Sequence, residues 1–465
     1  VARAVEVNNN GYVYVSPGAS VEGAQLYSNG QMYAYSNASV AGIHVSNYGG
    51  LYGQGTSVIF ESCVLSSNAR FDMGNSSGVQ VRHMPIGSNA SMWCYNSCSG
   101  SHTTVMSAGI LYVSSGAKCY DVTVFSGGRV SHGVWGHDEL TEVTGTNHLG
   151  SFHTVNGTAC NYVLMGGQDQ QLYYYASAIS TVMSSGGSQF VSFGAVARFN
   201  TIFQGGYQRV LSSGLSLDTV ISSGGQQFAE YFGTAVRTTI GSGAYMYVSN
   251  YGRATAVEIQ RGGSQFVSYG AAVTSTNVSG WQMLSNGCSA LNTTVNSGAW
   301  QYVRYACSAS DATVLGGGSL HISQNCSYGG IKVSNGGWLG VYEGCAVSGV
   351  VFGQGMMYLC NYCGGTNISI GSGGTLYASY FCNLENVVVS SGGVFYLHSS
   401  NCNATSTTIE SGGSFYLSRF NNASGVTVGS GGLFYVASAA TAFAVTSSAG
   451  ANITVETGGY IEYVQ

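Results

Sequence analysis

Short apolar runs recur along this chain at a fixed spacing, separated by polar turns. From residue 387 the phrase reads VVVSSGGVFYLHSSNCNATS, from 407 TTIESGGSFYLSRFNNASG, and from 426 VTVGSGGLFYVASAATAFA. Each phrase is a short β-branched run, a Gly-Gly turn, a second apolar run and a polar stretch. The period is 19 residues, occasionally 17 to 22. Apolar runs this short, rich in β-branched residues and cut by Gly and Asn, predict strands. Nineteen residues are too few for a domain, but they suffice for one turn of a solenoid, which buries its apolar face against the turns on either side. The predicted fold is therefore all-β: a right-handed parallel β-helix of about 24 turns in one domain over 1–465. Less regular turns are expected around 60–165 and an interrupted one around 438–457.

One position carries most of the aromatic signal, three residues after the second Gly of each turn. It reads Tyr14, Tyr33, Tyr52, Phe71, Trp93, Tyr112, Ser131, Phe152, Tyr173, Phe190, Arg209 and Phe228, then Tyr247, Phe266, Met283, Tyr302, His321 and Gly340. It closes on Tyr358, Tyr377, Tyr396, Tyr416, Tyr435 and Tyr463. The next residue is mostly small and aliphatic, as at Val191, Val210, Val248 and Val267. Neighbours in a strand point to opposite faces, so these two columns cannot both be inside. Tyr prefers to keep its hydroxyl wet, and Ser131, Arg209 and His321 are poor core fillers. The aromatic column is therefore expected outside, although stacked rings inside a β-helix are the competing arrangement. An outward column would be an interaction stripe: Tyr14, Tyr33, Tyr52, Phe190, Phe228, Tyr247, Phe266, Tyr302, Tyr358, Tyr377, Tyr396, Tyr416 and Tyr435. It would place Gln189, Gln208, Gln227, Gln265, Gln282 and Gln301 inside, where stacked amides can bond from turn to turn.

Composition narrows the function classes. Charged residues are 7% of the chain and apolar residues 45%; there are 70 Gly, 2 Pro and a net charge of −5. Thirteen Lys plus Arg against 18 acids give no basic stripe, so no nucleic-acid partner is expected. Like charges stacked at every turn would repel, which fits their scarcity. No motif for a phosphate loop, a catalytic elbow or a zinc helix occurs, and no cofactor is expected. The one acidic run is 137-HDELTE, with His132, His148 and His153 nearby. His132, His137, Asp138 and His153 form the one weak metal candidate, set against a plain polar loop bulging from a degenerate turn.

Seven cysteines also follow the period: Cys288, Cys307, Cys326, Cys345, Cys363, Cys382 and Cys402. Other turns hold Ala195, Gly214, Gly252 or Ala271 at that corner, so the ladder reads first as small buried filler. Disulfides between adjacent turns are the alternative, since stacked strands bring Cα atoms within bridging range. A linear ladder does not suit tetrahedral zinc.

The phrases 219-TVISSGGQQFAEYFGTAVR and 257-VEIQRGGSQFVSYGAAVTSTNV resemble the AIDA-type repeats of autotransporter adhesin passenger domains. The resemblance implies an exported, non-enzymatic β-helix displayed at the bacterial outer surface, acting in adhesion, autoaggregation and biofilm formation. Expected partners are a second copy of the chain, or glycans or proteins of host and bacterial surfaces. A structural subunit of an extracellular filament or surface layer is the alternative, and a β-helical carbohydrate-active enzyme or tailspike the third. The chain starts at Val1 without a leader and ends in repeat pattern at Gln465, which reads as a piece of a longer product.

Overall fold

The computed structural model describes residues 1–464 apart from 75, 76, 115, 136–140, 148, 149, 156 and 400. Every regular element among them is a strand. The strands wind into a parallel β-solenoid of about 23 turns, with about 19 residues to a turn. Two compact units are distinguished, Val1–Phe228 and Ala229–Gln465.

In the first unit a representative turn starts at Tyr207–Val210 and passes a corner to Leu215–Leu217. It kinks at Asp218, where φ is 55°, and continues as Val220–Ile221. A Ser-Gly-Gly turn then returns the chain. Its two glycines do different work. Gly224 has φ +74°, a left-handed conformation that Gly adopts without a steric penalty. Gly225 is needed for space, because a Cβ there would lie 2.5 Å from the carbonyl oxygen of Ile202 on the preceding turn. Each strand pairs in parallel with its counterpart one turn away, as Gln189↔Gln208 and Val191↔Val210.

Burial alternates along each strand. In Tyr207–Val210 the Gln and Val are enclosed and the Tyr and Arg face outward. The core is a stack of small and aliphatic residues such as Ala197, Ile202, Val210 and Ile221, all without solvent exposure. The amides share that interior. Gln189 Nε2 donates to Gln170 Oε1 at 2.7 Å, Gln208 to Gln189 at 2.7 Å, and Gln227 to Gln208 at 2.7 Å.

The second unit repeats the plan. Tyr247↔Phe266, Phe266↔Met283 and Met283↔Tyr302 stand in parallel register. Its amide ladder runs Gln301 to Gln282 and Gln282 to Gln265, each at 2.8 Å. Further along, Phe395, Phe415 and Phe434 take the amide position, with ring centroids 4.4 and 5.2 Å apart.

Among the described residues the winding is broken within the first unit by an antiparallel strand. One sheet passes from Arg129–Trp135 directly to Asp169–Tyr173. The other gains a strand, Gly150–Val155, antiparallel to both Glu142–Asn147 and Thr158–Cys160. This insert corrects the turn count. Phe152 lies on the antiparallel strand, buried and edge-on to Tyr162 at 5.1 Å, and belongs to no turn of the aromatic column.

Three other column positions shift. Asp72, not Phe71, is in register with Tyr52 and Trp93, and Phe71 points into the core. Gln171, not Tyr173, is in register with Phe190. Thr454, not Tyr463, follows Tyr435, and Tyr460–Tyr463 pairs in the other sheet. Across 438–457, Asn452–Val455 aligns on Leu433–Val436, while Thr441–Ser447 pairs with Tyr460–Tyr463 through a register shift between Ala442 and Val445. In all four cases the Gly spacing misled, because it does not record strand register or the sheet a residue joins.

Candidate functional site: an outward aromatic surface

The aromatic column stands outside. Phe190, Phe228, Tyr247, Phe266, Tyr302, Tyr358, Tyr377, Tyr396, Tyr416 and Tyr435 are half-buried, while their strand neighbours on both sides are enclosed. So are Tyr33 and Tyr52, whereas Tyr14 is exposed. What covers these rings is mainly one another. Tyr33 and Tyr52 stack with centroids 4.7 Å apart, and Tyr247 and Phe266 at 5.2 Å. Tyr377, Tyr396, Tyr416 and Tyr435 form a continuous pile at 4.9, 4.8 and 6.0 Å. Parallel register imposes this spacing, because identical residues one turn apart repeat at about 4.8 Å. Burial within the pile, together with neighbouring tyrosine hydroxyls, pushes the pKa of Tyr33 and Tyr396 upward.

The non-aromatic members also have structural accounts. His321 is sandwiched in the pile, 4.8 Å from Tyr302 and 4.3 Å from Trp338. Burial pulls its pKa down to about 4. Gly340 is glycine because the Trp338 ring crosses its position, 2.2 Å from where a Cβ would stand. Asp72 is held by Arg70 Nη2 at 2.7 Å and by the Tyr95 hydroxyl. Burial opposes its charge, but these partners outweigh burial and keep the carboxyl below its usual range.

A second aromatic column went unnoticed in the sequence. It occupies the corner three or four residues after the first, and includes Tyr175, Phe193, Phe232, Tyr251, Tyr269, Tyr305, Tyr362, Phe381 and Phe420. All of them have left-handed backbone, for example φ 66° at Phe232, 64° at Tyr251 and 64° at Tyr362. They are among the most exposed large side chains, at 63%, 61% and 68% for those three. Phe232 stacks on Tyr251 at 5.5 Å, and Tyr362 on Phe381 at 4.9 Å. Bulky residues rarely take this conformation, which costs roughly 1–2 kcal/mol outside Gly, Asn and Asp. Gly18 occupies a left-handed corner elsewhere, and Gly194 and Gly270 are the second left-handed residue of the corners that begin with Phe193 and Tyr269. The available signal was an aromatic within the two residues before the small corner residue, as in EYFG, SNYG and ASYFC.

The two columns adjoin at the strand end, where Tyr173, two residues beyond the register position held by Gln171, lies 6.0 Å from Phe193. Together they cover a strand face and the following corner with rings. Each unit carries such a surface.

The cysteine ladder is enclosed, with every member at 2% exposure or less and every thiol free. It is not a simple stand-in for Ala. In Ala and Gly turns the corner N–H closes on the carbonyl three residues back, as Ala271 on Ser268 and Gly252 on Ser249. In three cysteine turns the thiol makes that bond instead: Cys307 Sγ donates to the Arg304 carbonyl, Cys363 to Cys360 and Cys382 to Ser379, each at 3.0 Å. The released N–H donates to the sulfur one turn on, as Cys326 to Cys345 at 3.2 Å and Cys382 to Cys402 at 3.4 Å. Asn421 ends the series with the same two bonds. Its Oδ1 accepts from Cys402 N at 2.9 Å, and its Nδ2 donates to the Ser418 carbonyl at 3.1 Å.

Of the metal candidate, His137 and Asp138 lie outside the described residues. His132 sits on Arg129–Trp135 in one sheet, and His153 is exposed on Gly150–Val155 in the other. Glu142 accepts from the Tyr120 hydroxyl at 2.6 Å and lies 3.7 Å from Lys118 Nζ. No group of three or more His, Cys, Asp or Glu suited to a metal occurs among the described residues.

Comparison with curated proteins finds no match. The family model described as the adhesin of the bacterial autotransporter system, probable stalk, matches residues 144–206. Among solved structures, the chain is similar to a fragment of TibA crystallised in its TibC-catalysed, hyper-glycosylated form. Identity is 30%, over 65% of this chain and 98% of that one, with a TM-score of 0.44. The same repeat phrase recurs in both units. The chain belongs to the AIDA-type passenger domains of autotransporter adhesins.

Proposed function

We propose that this chain is a surface-displayed adhesin stalk that makes its contacts through the outward aromatic surface, chiefly with a second copy of itself. The observation that carries this reading is the corner column. Its rings add nothing to the core, they sit in a backbone conformation that disfavours them, and they remain largely exposed. Strain kept by rings that stack on one another yet fill no core points to a binding role. Monomers rarely expose apolar patches that extend turn after turn, and Tyr offers wide contact with little side-chain entropy to lose. A repeated surface meets many equivalent contacts on another repeated surface, so weak contacts add up to avidity. Flat tyrosines also suit the faces of sugar rings, and surface glycans are the second kind of partner.

Two variants of the full chain test the proposal. One replaces Tyr358, Tyr377, Tyr396, Tyr416 and Tyr435 with Ser. The other replaces Phe232, Tyr251 and Tyr269 with Asn, which tolerates the left-handed corner. Lost stacking is worth about 0.5–1.5 kcal/mol per ring pair, so both variants should keep the β circular dichroism of the parent. Sedimentation should show self-association weakened at least about tenfold in each, roughly 1.4 kcal/mol. Two folded variants that associate like the parent would refute the role of the surface.

A further inference from the structure

Seven consecutive turns place a cysteine at one enclosed corner, from Cys288 to Cys402. Hydrogen bonding alone does not require this run. Asn421 makes the same pair of bonds without sulfur, and Ala and Gly turns close the corner without any side chain. What does require cysteines on adjacent turns is a bond between them. The Sγ atoms of Cys288 and Cys307 stand 3.1 Å apart, closer than the 3.5 Å of Cys94 and Cys119. The Cys326 thiol reaches those of Cys307 and Cys345, and the Cys382 thiol those of Cys363 and Cys402. Parallel strands at about 4.8 Å fall within the Cα separation that a disulfide spans.

We propose that the ladder is a site of oxidative modification, in which disulfides join neighbouring turns as Cys288–Cys307, Cys326–Cys345, and Cys382 with either Cys363 or Cys402. An odd number of members leaves one ladder thiol free. In each step two thiols release two protons and two electrons to a disulfide oxidant, protein or small molecule. A mixed disulfide forms first; the second thiolate then displaces the remaining sulfur, and the oxidant leaves as two thiols. The shared hydrogen bonds draw Cys307, through Cys288, and Cys363, through Cys382, towards the thiolate that starts such an exchange. The sulfurs are enclosed once the turns have docked, so cross-linking accompanies folding and reductants are then shut out. The proposal rests on surface display of the chain only for its setting, an oxidising one in which disulfides persist.

The full chain is refolded with glutathione disulfide, alkylated in denaturant without reductant, digested and analysed by mass spectrometry. The expected result is linked peptides for Cys288–Cys307 and Cys326–Cys345, a third link from Cys382, and one alkylated ladder cysteine. Reductant should lower the Tm by about 10 °C or more, given closed loops of this size, and should act only after unfolding. Pairwise replacement of Cys288 and Cys307 by Ala should remove the first link alone. Seven alkylated ladder cysteines, or links that skip turns, would overturn the proposal. The oxidant is supplied in the tube, so that failure says nothing about location; surface display is tested separately by protease shaving of intact cells.

Discussion

Single residues in this solenoid are governed by what stands one turn above and below. His321 is the clearest case. Its ring continues a pile of aromatics and its Nε2 is enclosed without a partner, so the neutral imidazole is the form that fits. The folded pKa, about 4, lies below the usual 6.5, and the unfolded chain therefore binds the proton more readily. Stability from this site is complete above pH 6.5 and declines as the pH falls towards 4. The Tm should drop by a few degrees between those values, and the drop should shrink in a His321→Tyr variant that keeps the stack. An equal drop in the variant would show that His321 is not the titrating group.

At the scale of a strand, alternation decides everything. Gln282 faces inward only because Trp281 and Met283 face outward, and there it holds two neighbours. Its Nε2 donates to Gln265 Oε1 and its Oε1 accepts from Gln301 Nε2. Gln282→Leu matches the side chain in bulk yet strands an acceptor on one turn and a donor on the next. Burying such groups without partners costs about 1–3 kcal/mol each, so urea unfolding should register a loss of about 2 kcal/mol or more. A neutral substitution would mean that the ladder adds no stability beyond packing. Gln and Val two residues apart already announced the inward face. The register slip at Phe71 and Asp72 did not show, because the Gly spacing put Phe71 in the column and only pairing with Tyr52 and Trp93 sets Asp72 there.

For the whole molecule, scarcity of charge sets the character of its contacts. With 7% charged residues and a net charge of −5, the proposed self-association has little electrostatic attraction to draw on and rests on aromatic burial. Raising NaCl from about 0.05 M to about 1 M screens charges beyond a few ångströms, yet it should leave self-association undiminished in light scattering. A tenfold weakening across that range would assign the contact to ion pairs instead.

The repeat, the strand content and the enclosed amides were legible in the sequence, because a period of 19 residues leaves few ways to bury Val and Ile except by stacking. The aromatic surface was half legible: its strand column follows the Gly-Gly turn, but the corner column is declared by backbone angles that no spacing records. Tertiary structure alone decided that Phe152 leaves the winding on an antiparallel strand and that Thr454 stands in register with Tyr435. It also decided that the cysteines bond through sulfur to the turns beside them. Each of these depends on register between segments far apart in the chain, and register is chosen by the summed packing of many pairs, not by any residue alone.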